Sequence, residues 1–127
     1  TQMINEMLKR DINLDDSKIL VLGFSFKENC PDIRNTRVVE LVSELENYVA
    51  KVDVHDPIVN INDARDEYDL DLIKSPGKEE YDGIILAVCH DVFKSNGIDS
   101  IRSFGKPGHI FYDLKSMFNK SNSELRL

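Results

Sequence analysis

At 127 residues the chain has the length of one domain, and its 41% apolar and 31% charged residues are ordinary for a globular protein. The net charge of −7 argues against a nucleic-acid partner, and no apolar run approaches the roughly 20 residues of a membrane span. A domain of this size buries about two-thirds of its unfolded surface, so it needs no disulfide or metal staple. Thr1 to Arg10 mixes charged and apolar residues, unlike a signal peptide, and places Ile4, Met7 and Leu8 at helical spacing. The expectation is that residues 1–14 are the end of an upstream helix with its linker, and 15–127 a single folded unit.

Lys18 to Leu22 is an apolar run suited to a strand covered on both faces. Asn35 or Thr36 offers a cap for the next helix, in which Val38, Leu41, Val42, Leu45 and Val49 form an amphipathic stripe. Lys51 to His55 alternates as a second strand and stops at Asp56-Pro57. Ile61 to Tyr68 reads as a short charged helix, and Leu70 to Ile73 as a weak edge strand. After the loop Ser75-Pro76-Gly77-Lys78, Ile84 to Val88 is the most apolar strand and belongs at the sheet centre. Asp91 to Lys94 and Ile98 to Phe104 are short helices, Gly105 to Gly108 a turn, and His109 to Tyr112 the last strong strand. The tail from Ser116 is polar, with Met117 and Phe118 available to pack back. Strands alternating with helices predict an α/β fold, a three-layer αβα sandwich around a Rossmann-like, mostly parallel sheet.

The segment Gly23-Phe24-Ser25-Phe26-Lys27-Glu28-Asn29-Cys30-Pro31-Asp32-Ile33-Arg34-Asn35-Thr36 joins the first strand to the first amphipathic helix. Ligands of open α/β sheets bind at that edge, beyond the strands' carboxyl ends. Lys27 and Arg34 lie there, beside a helix N-terminus with free N–H groups and a positive dipole end. An ammonium and a guanidinium suit phosphate oxygens. Spacing alone favours the plainer reading of two solvated surface cations, one of them paired with Glu28 or Asp32. Only Gly23 follows the strand, and without a GxGxxG fingerprint the pyrophosphate of a dinucleotide is not expected here. A phosphorylation-dependent receiver domain has a similar topology, but it needs an acidic pair where Gly23 and Phe24 stand.

Cys30 and Cys89 form no CxxC pair, which fits a reducing, cytoplasmic compartment. Cys30 reads as a loop residue and Cys89 as a small core group. His90, beside Asp91, has the makings of an acid–base pair, but the commoner use is a polar loop histidine that helps start the following helix. His55 and His109 are scattered within strands, and no spacing suggests a metal.

The long segment also carries a resemblance. Gly23, Phe26, Lys27, Asp32 and Arg34 follow a Gly-x-x-Phe-Lys pattern and then Asp-x-Arg. The match continues through Val52 to Pro57, Ala87 to Lys94 and Tyr112 to Lys115. Over about residues 15–127 the chain resembles the C-terminal, UDP-binding domain of the UDP-glucose/GDP-mannose dehydrogenase family. The stretch Lys27 to Thr36 most resembles the branch that oxidises UDP-N-acetylhexosamines, the Vi-antigen and O-antigen type. The resemblance implies that Phe26, Lys27 and Lys115 contact the UDP-sugar and that Arg34 contacts NAD. Asp32 is expected to orient its neighbours. It also implies a parent enzyme, a homodimer or larger, that takes the sugar's primary alcohol to a carboxylate with two NAD for surface polysaccharide biosynthesis. In the family the catalytic Cys sits in a Gly-x-Cys-(apolar)-Pro-Lys-Asp motif, which Cys30 does not match. No catalytic residue is expected here, and NAD would be held mainly by the rest of the same polypeptide. The alternatives are a stand-alone nucleotide-sensing module and a UDP-glucose substrate.

Overall fold

β1 (Lys18–Leu22) shows why the chain folds in three layers. Ile19 and Val21 enter one apolar cluster, while Leu20 and Leu22 enter another on the opposite face. The computed structural model describes residues 2–126, so Thr1 and Leu127, the outer limits of the two expected segments, lie outside the described residues. The first cluster is closed by α1 (Gln2–Lys9) through Met3, Ile4 and Met7, and by α2 (Val38–Glu46) through Val38, Val42 and Leu45. α3 (Ile61–Tyr68) adds Ala64 to it. The second cluster is closed by α4 (Asp91–Arg102) through Phe93 and Ile101, with Met117 and Phe118 of the tail packed against it.

The remaining strands are β2 (Lys51–His55), β3 (Tyr81–Leu86), β4 (Gly105–Asp113) and β5 (Leu125–Arg126). The five form one sheet in the order β2-β1-β3-β4-β5, and every pairing is parallel. The chain leaves β1 toward β2 on one side, then crosses to β3 and continues to β5 on the other. The strand order therefore reverses between β1 and β3, which is the topological switch point where open α/β sheets leave a crevice.

Some expectations need correction. Leu70 to Ile73 is not a strand. The Ile73 amide donates to Val54 O at 2.9 Å, and His55 Nδ1 occupies the Ile73 carbonyl at 3.2 Å in place of a further rung. Gly105 to Gly108 is not a free turn but the bulged start of β4, because Gly105 pairs with Tyr81 and the register resumes only at Ile110 with Gly83. The two predicted short helices are halves of α4, joined across Gly97 at φ 86° and ψ 163°.

Candidate functional site

The loops that leave β1 and β3 meet at the switch point, and Gly23 lets them touch. Its φ is +98°, and a Cβ there would lie 2.6 Å from Val88 Cβ and 2.8 Å from the Val88 amide nitrogen. Ala87 and Val88 in turn donate to Leu22 O at 2.9 and 3.3 Å.

Beyond Gly23, the buried Asp56 holds the loop from beneath. Its Oδ2 accepts from the amides of Phe24 at 2.7 Å and Ser25 at 3.1 Å, and from His90 Nε2 at 2.8 Å. Its Oδ1 accepts from the Ile58 and Val59 amides. Burial pushes the Asp56 carboxyl up, but the hydrogen bonds from His90, Phe24 and Ile58 outweigh it and hold it below the usual range. His90 is fully buried, and its Nδ1 accepts from the Asn29 amide at 2.8 Å. That fixes the ring as the neutral tautomer with its proton on Nε2. His90 is the loop residue just before α4, and its carbonyl accepts from the Phe93 amide at 3.0 Å, but its side chain does not cap the helix; Asn29 Oδ1 accepts from the Asp91 amide there instead. Ser25 Oγ lies 3.3 Å from His90 Nε2 and donates to Lys27 O at 2.8 Å. Ser, His and Asp together suggest a nucleophile, but the geometry denies it. Asp56 and Ser25 share one ring nitrogen, whereas a relay needs opposite ones.

A second buried carboxylate, Asp113 at the end of β4, accepts from the amides of Lys115, Met117 and Phe118 at 3.2, 3.1 and 2.9 Å. The turn it builds presents Lys115. Thr36 caps α2, accepting from the Val38 amide at 3.2 Å and donating to Phe24 O at 2.6 Å.

These turns frame a cleft of about 340 Å³ that brings together Phe26, Lys27 and Lys115, with Ser25, Glu28, Asn35, Arg37, Val38, Ala87 and Val88. A shallower apolar hollow adjoins it and shares Arg37, Val38, Ala87 and Lys115, with Leu41 and Leu114 added. Among the described residues none of Lys27, Arg37 and Lys115 forms a salt bridge. Phe26 is 56% exposed at the lip. Sequence reasoning missed Arg37. Its available signal was a cation directly after the cap of α2, where an anion meets the helix dipole. Asp56 and His90 were also missed as organisers, although both stand just past the carboxyl ends of strands.

Arg34 is elsewhere. It is exposed, pairs with Asp32, and lines a separate depression with Asp63, Asp66 and Glu67. Neither cysteine is placed as a nucleophile. Both are free, and burial first, then the Glu28 carboxylate, push the Cys89 thiol up, away from the thiolate. A larger depression, about 600 Å³, lies at the amino end of β4, but its Arg10, Arg102 and Lys106 are paired with Glu6, Glu124 and Asp82. Among the described residues Lys78 is the one cation of the larger depression that forms no salt bridge, against three at the switch point, which makes the smaller cleft the better anion site.

The profile described as the UDP-glucose/GDP-mannose dehydrogenase family, UDP binding domain, matches residues 20–120. A UDP-N-acetyl-D-glucosamine 6-dehydrogenase of Pseudomonas aeruginosa is 48% identical over 127 residues, covering 100% of this chain and 30% of the relative. Its counterpart from Salmonella typhi is 47% identical over 126 residues, 99% of this chain and 30% of the relative. The chain therefore spans about 30% of the length of these curated relatives. Among solved structures, a UDP-D-ManNAc dehydrogenase from Pyrococcus horikoshii is similar with a TM-score of 0.74 at 26% identity, covering 94% of this chain and 27% of that one.

Proposed function

The chain belongs to the UDP-glucose/GDP-mannose dehydrogenase family, as its C-terminal UDP-binding domain, and from that premise we propose that it holds the UDP-sugar in a UDP-N-acetylhexosamine 6-dehydrogenase. The observation that carries the reading is the set of three cations, Lys27, Arg37 and Lys115, that form no salt bridge among the described residues and surround one cleft at the switch point. Lys27 and Lys115 bind the diphosphate as charge-assisted donors. Phe26, exposed beside Lys27, supplies apolar contact. The apolar hollow beyond Arg37 suits the flat, uncharged part of a nucleotide. The relatedness to N-acetylglucosamine enzymes supports the substrate branch.

The turn after β1 does not fit the pyrophosphate of NAD. Counted from Gly23, it carries Ser25 and Glu28 where a GxGxxG turn needs its second and third glycines, and Gly23 itself is spent on contact with Val88. In the complete enzyme NAD, held mainly outside this chain, would supply the hydride acceptor: two NAD are needed to take the sugar's primary alcohol to a carboxylate, with water giving the added oxygen. Arg34 is the residue of this chain we assign to NAD. The product, a uronate, serves surface polysaccharide biosynthesis.

The test is NADH formation by the complete protein with UDP-N-acetylglucosamine, UDP-N-acetylgalactosamine and UDP-glucose. An N-acetylhexosamine is expected to give the highest kcat/KM, and a preference for UDP-glucose overturns the branch. This chain by itself is expected to reduce no NAD with any of them. Turnover by it alone overturns the assignment of a purely binding role.

A further inference from the structure

Lys27 and Phe26 sit on a loop, and a loop is a poor platform for a binding group unless something fixes it. Most of the side-chain hydrogen bonds that fix this one lead back to the buried pair Asp56 and His90; besides them, the Phe26 amide donates to Asp32 O at 2.7 Å and Thr36 Oγ1 to Phe24 O at 2.6 Å. Asp56 Oδ2 takes the Phe24 and Ser25 amides at the start of the loop. His90 Nδ1 takes the Asn29 amide at its far end, at 2.8 Å. Asn29 has a φ of 60°, a left-handed conformation that costs energy without such support, and its side chain accepts from the Asp91 amide. Between the two anchors, Ser25 Oγ reaches His90 Nε2 at 3.3 Å and donates to the carbonyl of Lys27 itself at 2.8 Å. Asp56 and His90 are 4% and 0% exposed, so neither touches a ligand in the cleft. A neutral buried histidine with one donor and one acceptor in use serves to tie two chain segments to a carboxylate.

We propose that the Asp56–His90 pair, acting through Ser25 and Asn29, is the positioning device that sets Lys27 and Phe26 in the cleft and so tunes affinity for the nucleotide diphosphate. His90 and Ser25 are positioning residues. This rests on the reading of Lys27 as a diphosphate ligand. The pair joins loops from three strand ends: Phe24 to Asn29 after β1, Asp56 after β2, and His90 after β3. Its geometry therefore fixes the cleft floor as one unit. Loosening it should weaken ground-state binding of the sugar nucleotide while the chemistry, carried out elsewhere in the polypeptide, keeps its rate once substrate is bound.

The experiment uses the complete dehydrogenase and compares Ser25→Ala, His90→Phe, His90→Gln and Lys27→Ala. Ser25→Ala removes only the hydroxyl that holds the Lys27 carbonyl, so it keeps the test alive if His90→Phe fails to fold. Ser25→Ala and His90→Phe are each expected to raise KM for the UDP-sugar about 3- to 10-fold, the effect of losing an ordinary hydrogen bond or two. The kcat and the KM for NAD should move far less. His90→Gln, whose amide offers one donor and one acceptor, should recover much of the loss; a role of ring packing alone predicts no such recovery. If Lys27→Ala raises the UDP-sugar KM but folded Ser25→Ala and His90→Phe do not, the positioning role is overturned and the site stands. If Lys27→Ala itself leaves that KM unchanged, both fall.

Discussion

Arg34 clasps Asp32 with its guanidinium fork, Nε to Oδ1 at 3.0 Å and Nη2 to Oδ2 at 2.9 Å, while its own amide donates to Oδ1 at 2.9 Å. The arginine side chain remains 78% exposed, so the clasp orients the guanidinium without burying it. Asp63, Asp66 and Glu67 line the same depression, and Arg34 is the cation there. An anionic cofactor approaching this side has Arg34 to meet it and carboxylates to avoid. In the complete enzyme Arg34→Ala should raise KM for NAD more than KM for the UDP-sugar. Lysine should rescue poorly, because a point charge does not reproduce the fork. Equal effects on the two substrates count against the cofactor assignment.

The same clasp has a pH signature. The Arg34 side-chain hydrogen bonds first, and its amide next, lower the Asp32 carboxyl to about 2. The unfolded value is about 3.9. Because the folded pKa is the lower one, the contribution to stability is fully present above about pH 4 and is lost as pH falls through about 2. A carboxyl-carbon NMR titration should place Asp32 near that lower value. In Arg34→Ala its midpoint should move back up toward about 3.9. A parent Asp32 that already titrates in the ordinary range means the clasp does not hold in solution.

Most of the scaffold was legible because burial writes an apolar run into the central strand β1, alternation into the edge strand β2 and helical spacing into the covering helices. Lys18 to Leu22 and Lys51 to His55 appear at their predicted limits, as does the helix Ile61 to Tyr68. β5 was not legible. Leu125 and Arg126 pair with Tyr112 and Asp113 in a strand of two residues, too short for an alternating side-chain pattern to record. Leu70 to Ile73 looked like a strand because it is apolar, but His55 takes the carbonyl that a second rung would need. At the site, the cations on their turns could be read from the motif. Their supports could not. Asp56 and His90 lie far apart in sequence and meet only because β1 stands between β2 and β3 in the sheet.

Gly23 and Gly97 offer a controlled comparison, since both have positive φ but only one is crowded. At Gly97 a Cβ meets nothing within 4 Å, so Gly97→Ala carries the backbone strain alone. At Gly23 the Cβ would also run into the backbone and Cβ of Val88, which cannot swing aside like the tip of a long side chain. Strain plus overpacking at a site of this kind costs at least ~2 kcal/mol. Gly23→Ala should therefore lower the denaturant midpoint clearly more than Gly97→Ala, and should weaken UDP binding as well. Equal midpoints for the two variants would show that the loops after β1 and β3 are not in close contact.

The diphosphate assignment makes its sharpest prediction at Lys27 and Lys115, which come from different strand ends yet line one cleft. Each charge-assisted contact is worth roughly 1.5–3 kcal/mol, so either alanine variant should raise KM for the UDP-sugar about tenfold or more. If both lysines grip the same diphosphate, the double variant should lose less than the product of the single effects. Coupling of about 0.5–3 kcal/mol is usual for groups that share a partner. Arg37→Ala should weaken binding too, because it stands at the same cleft beside the N-terminus of α2. Lys78→Ala serves as the control, since Lys78 lines the larger depression at the amino end of β4. Binding that survives Lys27→Ala and Lys115→Ala but fails in Lys78→Ala would move the nucleotide to that depression, away from the switch point.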